Sequence, residues 1–146
     1  MAATPQLPAA AIAEHMIRNV PHGAALGMEV VSVSDDCGSL RVPWREDLVG
    51  DAETGVIAGG VVTALLDHCC GLAIKAARGD TSMTATLDLR IDYLRPAEPR
   101  AGITAEAHCY KLTRSVAFVR AQAWDVTPDD PVATAQAAFM LSGAPA

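Results

Sequence analysis

The sequence predicts an α+β protein, one curved antiparallel sheet wrapped around a single long central helix. Three observations lead there. Gly55 to Arg78, GVIAGGVVTALLDHCCGLAIKAAR, has the length of a helix and is apolar on nearly every face, the pattern of a buried helix. Met83, Ala85, Leu87, Leu89, Ile91 and Tyr93 alternate with polar residues at a period of two, the pattern of a long half-buried strand. The other stretches of strand character follow one another across short turns, and such strands pair antiparallel. A sheet with one apolar face has to cover it, and the central helix is the available cover.

Each element has its own signal. Residues 1–8 carry two prolines and are expected to fray. Ala9 to Val20 forms a short amphipathic helix with Ile12, Met16 and Ile17 on one face, ended by Pro21, His22 and Gly23. Leu26 to Ser34 reads as a strand, Asp35 to Gly38 as a turn and Ser39 to Val42 as a second strand. Trp44 to Thr54 is polar and irregular, a loop leading into the central helix. Gly79 and Asp80 turn the chain out of the helix, and Pro96 and Pro99 close the long strand. Gly102 to Leu112 alternates again, with Ile103, Ala105, Ala107 and Cys109 inward. Thr113 and Arg114 turn, Ser115 to Asp125 is a strand, Thr127 to Pro131 turns, and Val132 to Leu141 is the last strand. No internal repeat or low-complexity linker interrupts the order. The expected division is an N-terminal tail and short helix over 1–25 and one domain over 26–146.

Composition bounds the function. At 146 residues and 51% hydrophobic, the chain can build a core without staples. A net charge of −6 argues against general nucleic-acid binding. Yet Arg90, Arg95, Arg100, Lys111, Arg114 and Arg120 all fall late in the chain, which leaves room for a local anion site. Cys37, Cys69, Cys70 and Cys109 show neither C-x-x-C nor Cys–His metal spacing, so inert buried thiols and no metal site are expected. The start, MAATPQLPAAAIAEH, lacks a basic head and an unbroken apolar run, so no secretory signal is read there. A reducing, cytoplasmic setting is expected.

The chemistry concentrates on the central helix. Asp67 stands near its middle, and a carboxylate at mid-bilayer costs about 2.5–3.5 kcal/mol, which argues against a membrane span. Inside a soluble fold, a lone buried carboxylate is costly unless it is paired or used. Gly59 and Gly60 stand where the chain enters the helix. There glycine lets a ligand approach the backbone, and free N–H groups favour negative charge. Gly59 and Gly60 can also serve close helix packing alone. His68 follows Asp67 but points about 100° away around the helix, as a core or interface histidine does. Trp44 and Trp124 read as packing residues.

On these residues the sequence resembles the PaaI-like hotdog-fold thioesterases, whose substrates are acyl-coenzyme A thioesters. The resemblance runs from about Leu26 to Met140 through LGMEVV, GVIAGGVVTALLD, TLDLRIDYLRPA, RSVAFVRAQAWD and PVATAQAAFM. The Gly-Gly pair, the acid eight residues after the first glycine, and a strand ending in Y-L-R-P carry it together. It implies a homodimer or a dimer of dimers, with sheets joined edge to edge, central helices side by side and each active site at the interface. It implies that the Gly59 N–H polarises the thioester carbonyl and that Asp67 attacks that carbonyl or activates a water. A Ser or Thr on the following strand, from the partner subunit, assists in related members; here the role falls nearest Thr86. No cofactor or metal is required. Coenzyme A carries phosphates, for which Arg114 is the best single candidate, with Arg90, Arg95 and the Gly60 amide as further substrate contacts. The sequence departs from the family where Ala58 replaces a frequent His, and where Asp51, Ala52 and Glu53 occupy the positions of a water-orienting Asn or Gln.

Two other functions fit the same fold. A hydratase needs a His and an acid together near the helix, and Ala58 counts against it. A non-catalytic acyl-CoA binder gains nothing from a buried acid, and Asp67 counts against that.

Overall fold

A computed structural model describes residues 6–143. The chain runs α1 (Ala9–Arg18), α2 (Pro21–Ala25), β1 (Glu29–Ser34), β2 (Cys37–Val42), a 3-10 turn (Glu46–Leu48), β3 (Val49–Asp51), β4 (Val56–Ile57) and α3 (Gly59–Arg78). Then follow β5 (Thr84–Tyr93), β6 (Ile103–Leu112), β7 (Val116–Trp124) and β8 (Ala133–Leu141). Six strands form one antiparallel sheet in the order β1-β2-β6-β7-β8-β5, and β3 pairs with β4 in a separate ribbon. The expected α+β architecture, a sheet around one long helix, is what forms.

α3 is the centre of the core. Leu65, Leu66, Leu72 and Ile74 are fully buried on it, each contributing about 1.5–3 kcal/mol relative to exposure. The sheet face that meets the helix is unusually small: Ala105 and Ala107 on β6, Ala117 and Ala121 on β7, and Ala135 and Ala137 on β8 are all buried. Small side chains let a sheet lie close to a helix at interior packing density. Gly38 shows how close, since a Cβ there would stand 2.7 Å from Leu72 Cγ. By length and hydropathy α3 is apolar enough to cross a membrane, but most of it is buried in the fold as its core helix. Gly79 ends it in the left-handed region at φ 68°, and the Gly79 N–H donates to Lys75 O at 2.8 Å.

Several local expectations are corrected. α3 begins at Gly59, not Gly55, because Val56 and Ile57 pair with β3 instead of joining the helix. The loop Trp44 to Thr54 therefore contains a 3-10 turn and a strand. Pro21 opens α2 rather than only ending α1, as proline does at a first helical position. On α1, Ile12 and Met16 join the core but Ile17 is 51% exposed. The fraying expected of residues 1–8 falls, for 1–5, outside the described residues, while the Leu7 N–H donates to Gly79 O at 2.7 Å.

The long strand departs most. β5 does not pair with its successor β6 but with β8, so it becomes the last strand of the sheet. Its strict alternation is also broken. The register against β8 shifts between Thr86 and Asp88, leaving Leu87 unpaired and 54% exposed. A bulge of one residue reverses which side chains face inward. Leu89 and Ile91 keep the inward side, half-buried against the core, whereas Met83 and Ala85 are exposed.

Candidate active site

The bulge decides where Thr86 goes. By the simple alternation of the sequence, Thr86 sits opposite to Leu89, Ile91 and Tyr93. With Leu87 taken out of register, Thr86 lies across from buried Phe139 and Leu89 across from buried Ala137, so both turn to the helix side. There the Thr86 Oγ1 donates to Asp67 Oδ1 at 2.7 Å. Asp67 is half-buried two turns into α3, and among the described residues its Oδ2 accepts from no protein group. Thr86 and Asp67 thus meet within one chain, whereas the family resemblance assigns the hydroxyl to a partner subunit. The pair lies at the edge of the sheet that β5 leaves open.

Gly59 and Gly60 are the first two residues of α3 and are both exposed. The first N–H groups of a helix have no carbonyl within it to bond. A Cβ at Gly59 would meet only Tyr93 Cε1, at 3.8 Å, and one at Gly60 would meet nothing within 4 Å. Packing within this chain therefore does not require glycine at either place, in contrast to Gly38.

Two residues not singled out from the sequence as site residues hold this mouth in place. Tyr93 Oη lies 3.0 Å and Thr63 Oγ1 3.1 Å from Gly59 O, and the two hydroxyls also touch each other. With one proton each, one hydroxyl donates to the carbonyl and the other donates to its fellow hydroxyl. The available signal was Thr63, a hydroxyl one helical turn beyond Gly59 in the apolar stretch of the helix before Asp67. The approach to the helix is equally fixed. Trp44 Nε1 donates to Gly55 O at 2.9 Å, the Arg100 N–H donates to the same oxygen at 3.0 Å, and the Ala58 N–H donates to Leu48 O at 2.8 Å. Beside Gly59 a mainly apolar cavity of about 350 Å³ is lined by Val56, Ile57, Val62, Tyr93, Leu94 and Val132.

The three arginines singled out from the sequence are dispersed. Arg95 grips Asp125 with both terminal nitrogens, at 2.9 and 2.6 Å, and reaches Asp130 at 3.2 Å. This fork ties the segment after β5 to the turn after β7. It holds the Asp125 carboxyl far below the usual carboxylate range, helped by the Glu98 and Val126 N–H groups. Arg90 pairs with Asp92 at 3.4 Å on the face of the sheet turned away from α3. Arg114 is exposed in the turn between β6 and β7. That turn lies beside the start of β5, since the Leu141 N–H donates to Ser115 O and Leu141 pairs with Thr84.

His68 turns away from the Asp67–Thr86 pair. Its Nδ1 lies 3.1 Å from Met28 Sδ, its ring packs edge-on against His22, and burial lowers its pKa. Asp51 caps its own turn, accepting from the Glu53 N–H and Thr54 Oγ1 at 3.1 Å each. Among the described residues no metal-ligating group gathers around Asp67.

Comparison with known proteins agrees with this fold. The profile of the Thioesterase superfamily matches residues 54–132, a span that includes Gly59, Asp67 and Thr86. The medium/long-chain acyl-CoA thioesterase YigI of Escherichia coli is 27% identical over 124 residues, covering 76% of this chain and 79% of that protein. A crystal structure of a Pseudomonas aeruginosa protein superposes with a TM-score of 0.83 at 35% identity, covering 91% of this chain and 98% of the other. A mutant of the phenylacetic acid degradation protein PaaI from Thermus thermophilus superposes with a TM-score of 0.70 at 28% identity, covering 82% and 97%.

Proposed function

Since the chain belongs to the thioesterase superfamily, we propose that it hydrolyses acyl-CoA thioesters to a free acid and CoA, at sites shared between two chains in the cytoplasm. The observation that carries this reading is the Asp67–Thr86 hydrogen bond across the β5 bulge, at an open sheet edge. A thioester carbonyl is electrophilic and its thiolate leaves readily. With Oδ1 held by Thr86, the Asp67 carboxylate presents Oδ2 to the carbonyl, as nucleophile, or to a water, as general base. The oxyanion is stabilised by the Gly59 N–H of a second chain, worth about 3–4 kcal/mol, with the Gly60 N–H beside it. Tyr93 and Thr63 keep that helix mouth in place through the Gly59 carbonyl.

The apolar cavity beside Gly59 suits an acyl group, in line with the acyl-CoA activity of the Escherichia coli relative. Arg114 takes the nucleotide phosphates of CoA. Its turn adjoins the start of β5, the end of the strand that carries Thr86. Arg90 offers a more distant positive charge. Arg95 supports the site differently, because its guanidinium is engaged by Asp125 and Asp130.

The test is Asp67→Asn, assayed with a thiol-detecting reagent over short, medium, long and aromatic acyl-CoAs. The fold and substrate binding should persist while kcat falls at least about a hundredfold, the lower range for loss of an acid–base group. Wild-type turnover in Asp67→Asn would remove the catalytic assignment. Unchanged acyl-CoA binding with no hydrolysis by the wild-type chain would mark a binder instead.

A further inference from the structure

The geometry points to a divalent-cation site, of the kind zinc occupies, formed by Asp36, Cys37 and His108. One thiol, one imidazole and one carboxylate place their ligand atoms within 4.8 Å of one another. His108 Nε2 lies 3.0 Å from Asp36 Oδ2, and Cys37 Sγ lies 3.5 Å from Asp36 Oδ1. Zinc bonds of about 2.0–2.3 Å in a tetrahedron separate the ligand atoms by roughly 3.3–3.6 Å. Two of the three separations are close to what the ion needs, but they run to different oxygens of Asp36, so the carboxylate turns to offer one oxygen to the ion. The third closes with a movement of little more than about 1 Å, which partly exposed side-chain tips can make.

The backbone sets this arrangement in advance. Cys37 and His108 stand directly opposite each other in the β2–β6 ladder, and directly opposed side chains share a face. That face is turned away from α3, because the neighbours Gly38 and Ala107 are the ones packed inward. Asp36 closes the β1–β2 turn, where Asp35 adopts φ 47°, and the Asp36 carbonyl accepts from the Cys109 N–H at 2.8 Å. Three protein donors leave a fourth tetrahedral position for water. The mixed sulfur, nitrogen and oxygen set suits zinc and not the all-oxygen preference of magnesium or calcium.

The surroundings favour a cation. The carboxylates of Asp35, Asp36 and Glu106 gather their negative charge around Cys37 and His108. Negative charge concentrated at one place attracts a cation. Arg120, across the ladder from His108, is drawn onto the Tyr110 ring, with its guanidinium carbon 4.2 Å from the ring centroid. A plain Asp36–His108 surface pair explains less. Exposed pairs contribute about 0–1 kcal/mol and leave the thiol in this cluster without a purpose.

None of the residues proposed for hydrolysis takes part, so the two readings fail separately. The test adds cobalt(II) chloride to the reduced full-length chain at neutral pH. A thiolate-to-cobalt absorption band should appear in the near ultraviolet, saturate at one ion per chain and fade when zinc is added. Cys37→Ser should abolish it, and Asp36→Asn and His108→Ala should each weaken cobalt binding at least about tenfold. Cys109→Ser and Asp67→Asn should leave it intact, with circular dichroism confirming the fold of every variant. No band at millimolar cobalt, or a band that survives Cys37→Ser, overturns the proposal.

Discussion

Thr86→Val isolates the contribution of the bulge to catalysis. Valine keeps the shape of threonine and suits a strand at least as well, so β5 and its register should be retained. What disappears is the 2.7 Å hydrogen bond to Asp67 Oδ1. A hydrogen bond to a charged group contributes about 1.5–3 kcal/mol. If all of it is felt in the transition state, kcat falls by about 10- to 150-fold. Thr86 is exposed, so the lower part of that range, about 10- to 30-fold, is expected. A second effect runs the other way, because an oxygen released from its donor keeps its full electron density for attack on the carbonyl. Orientation is expected to win: a freed Asp67 side chain samples rotamers that aim neither oxygen at the carbonyl. The measurement is kcat and KM for the best acyl-CoA, with Thr86→Ser as the conservative control. Wild-type KM, a reduced kcat and rescue by serine support the positioning argument. An unchanged or raised kcat in Thr86→Val refutes it.

Two further outcomes follow from other parts of the structure. Because Asp125 ionises more easily folded than unfolded, its contribution to stability is complete above the ordinary carboxylate range and is lost as pH falls below it. Denaturant unfolding should show Asp125→Asn less stable than wild type at pH 7, with the gap narrowing toward pH 2; a constant gap would separate the fork from the acid sensitivity. Leu87 on β5 and Met83 and Leu94 just beyond its two ends are exposed, and an uncovered apolar edge is a surface for another chain. Sedimentation at micromolar concentration should therefore find a dimer or larger, and Leu87→Lys should shift it toward monomer with loss of turnover; a fully active monomer would defeat the shared site.

The sequence made the architecture legible because its two periodicities are strong. The apolar run around Asp67 reads as a buried helix, and Ile103, Ala105, Ala107 and Cys109 are buried as their alternation requires. Pairing was less legible. Nothing local tells β5 to pair with β8 across the sheet, since that choice is made by long-range packing. The bulge was hidden for a related reason. Met83 to Tyr93 alternates without a break, and no Gly or Pro marks Leu87 as the extra residue. The partners of Arg95 were hidden for a different reason. A guanidinium late in a basic stretch looks the same whether a phosphate or a carboxylate waits for it, and Asp125 lies 30 positions away. The Asp36, Cys37 and His108 group escaped spacing rules because β2 and β6 bring together residues from opposite halves of the chain.

The separation of Gly59 and Asp67 decides what one chain can do alone. Both lie on α3, eight residues apart, and at 1.5 Å per residue that is roughly 12 Å along the axis. One thioester carbonyl cannot touch both groups across that distance. A glycine loop folded back over the helix would shorten it, but Gly59 and Gly60 are helical residues and Tyr93 and Thr63 hold the Gly59 carbonyl. The arrangement that the proposed function calls for is a second copy of α3 lying antiparallel to the first. In the shared site we propose, a two-fold axis between the helices would set the Gly59 amide of one chain beside the Asp67 carboxylate of the other, and would do so twice. The bare surface at Gly59 and Gly60 leaves room for the carbonyl between them. The bulge completes the logic, since it sends Thr86 inward to Asp67 while the edge of β5 stays open for the second chain.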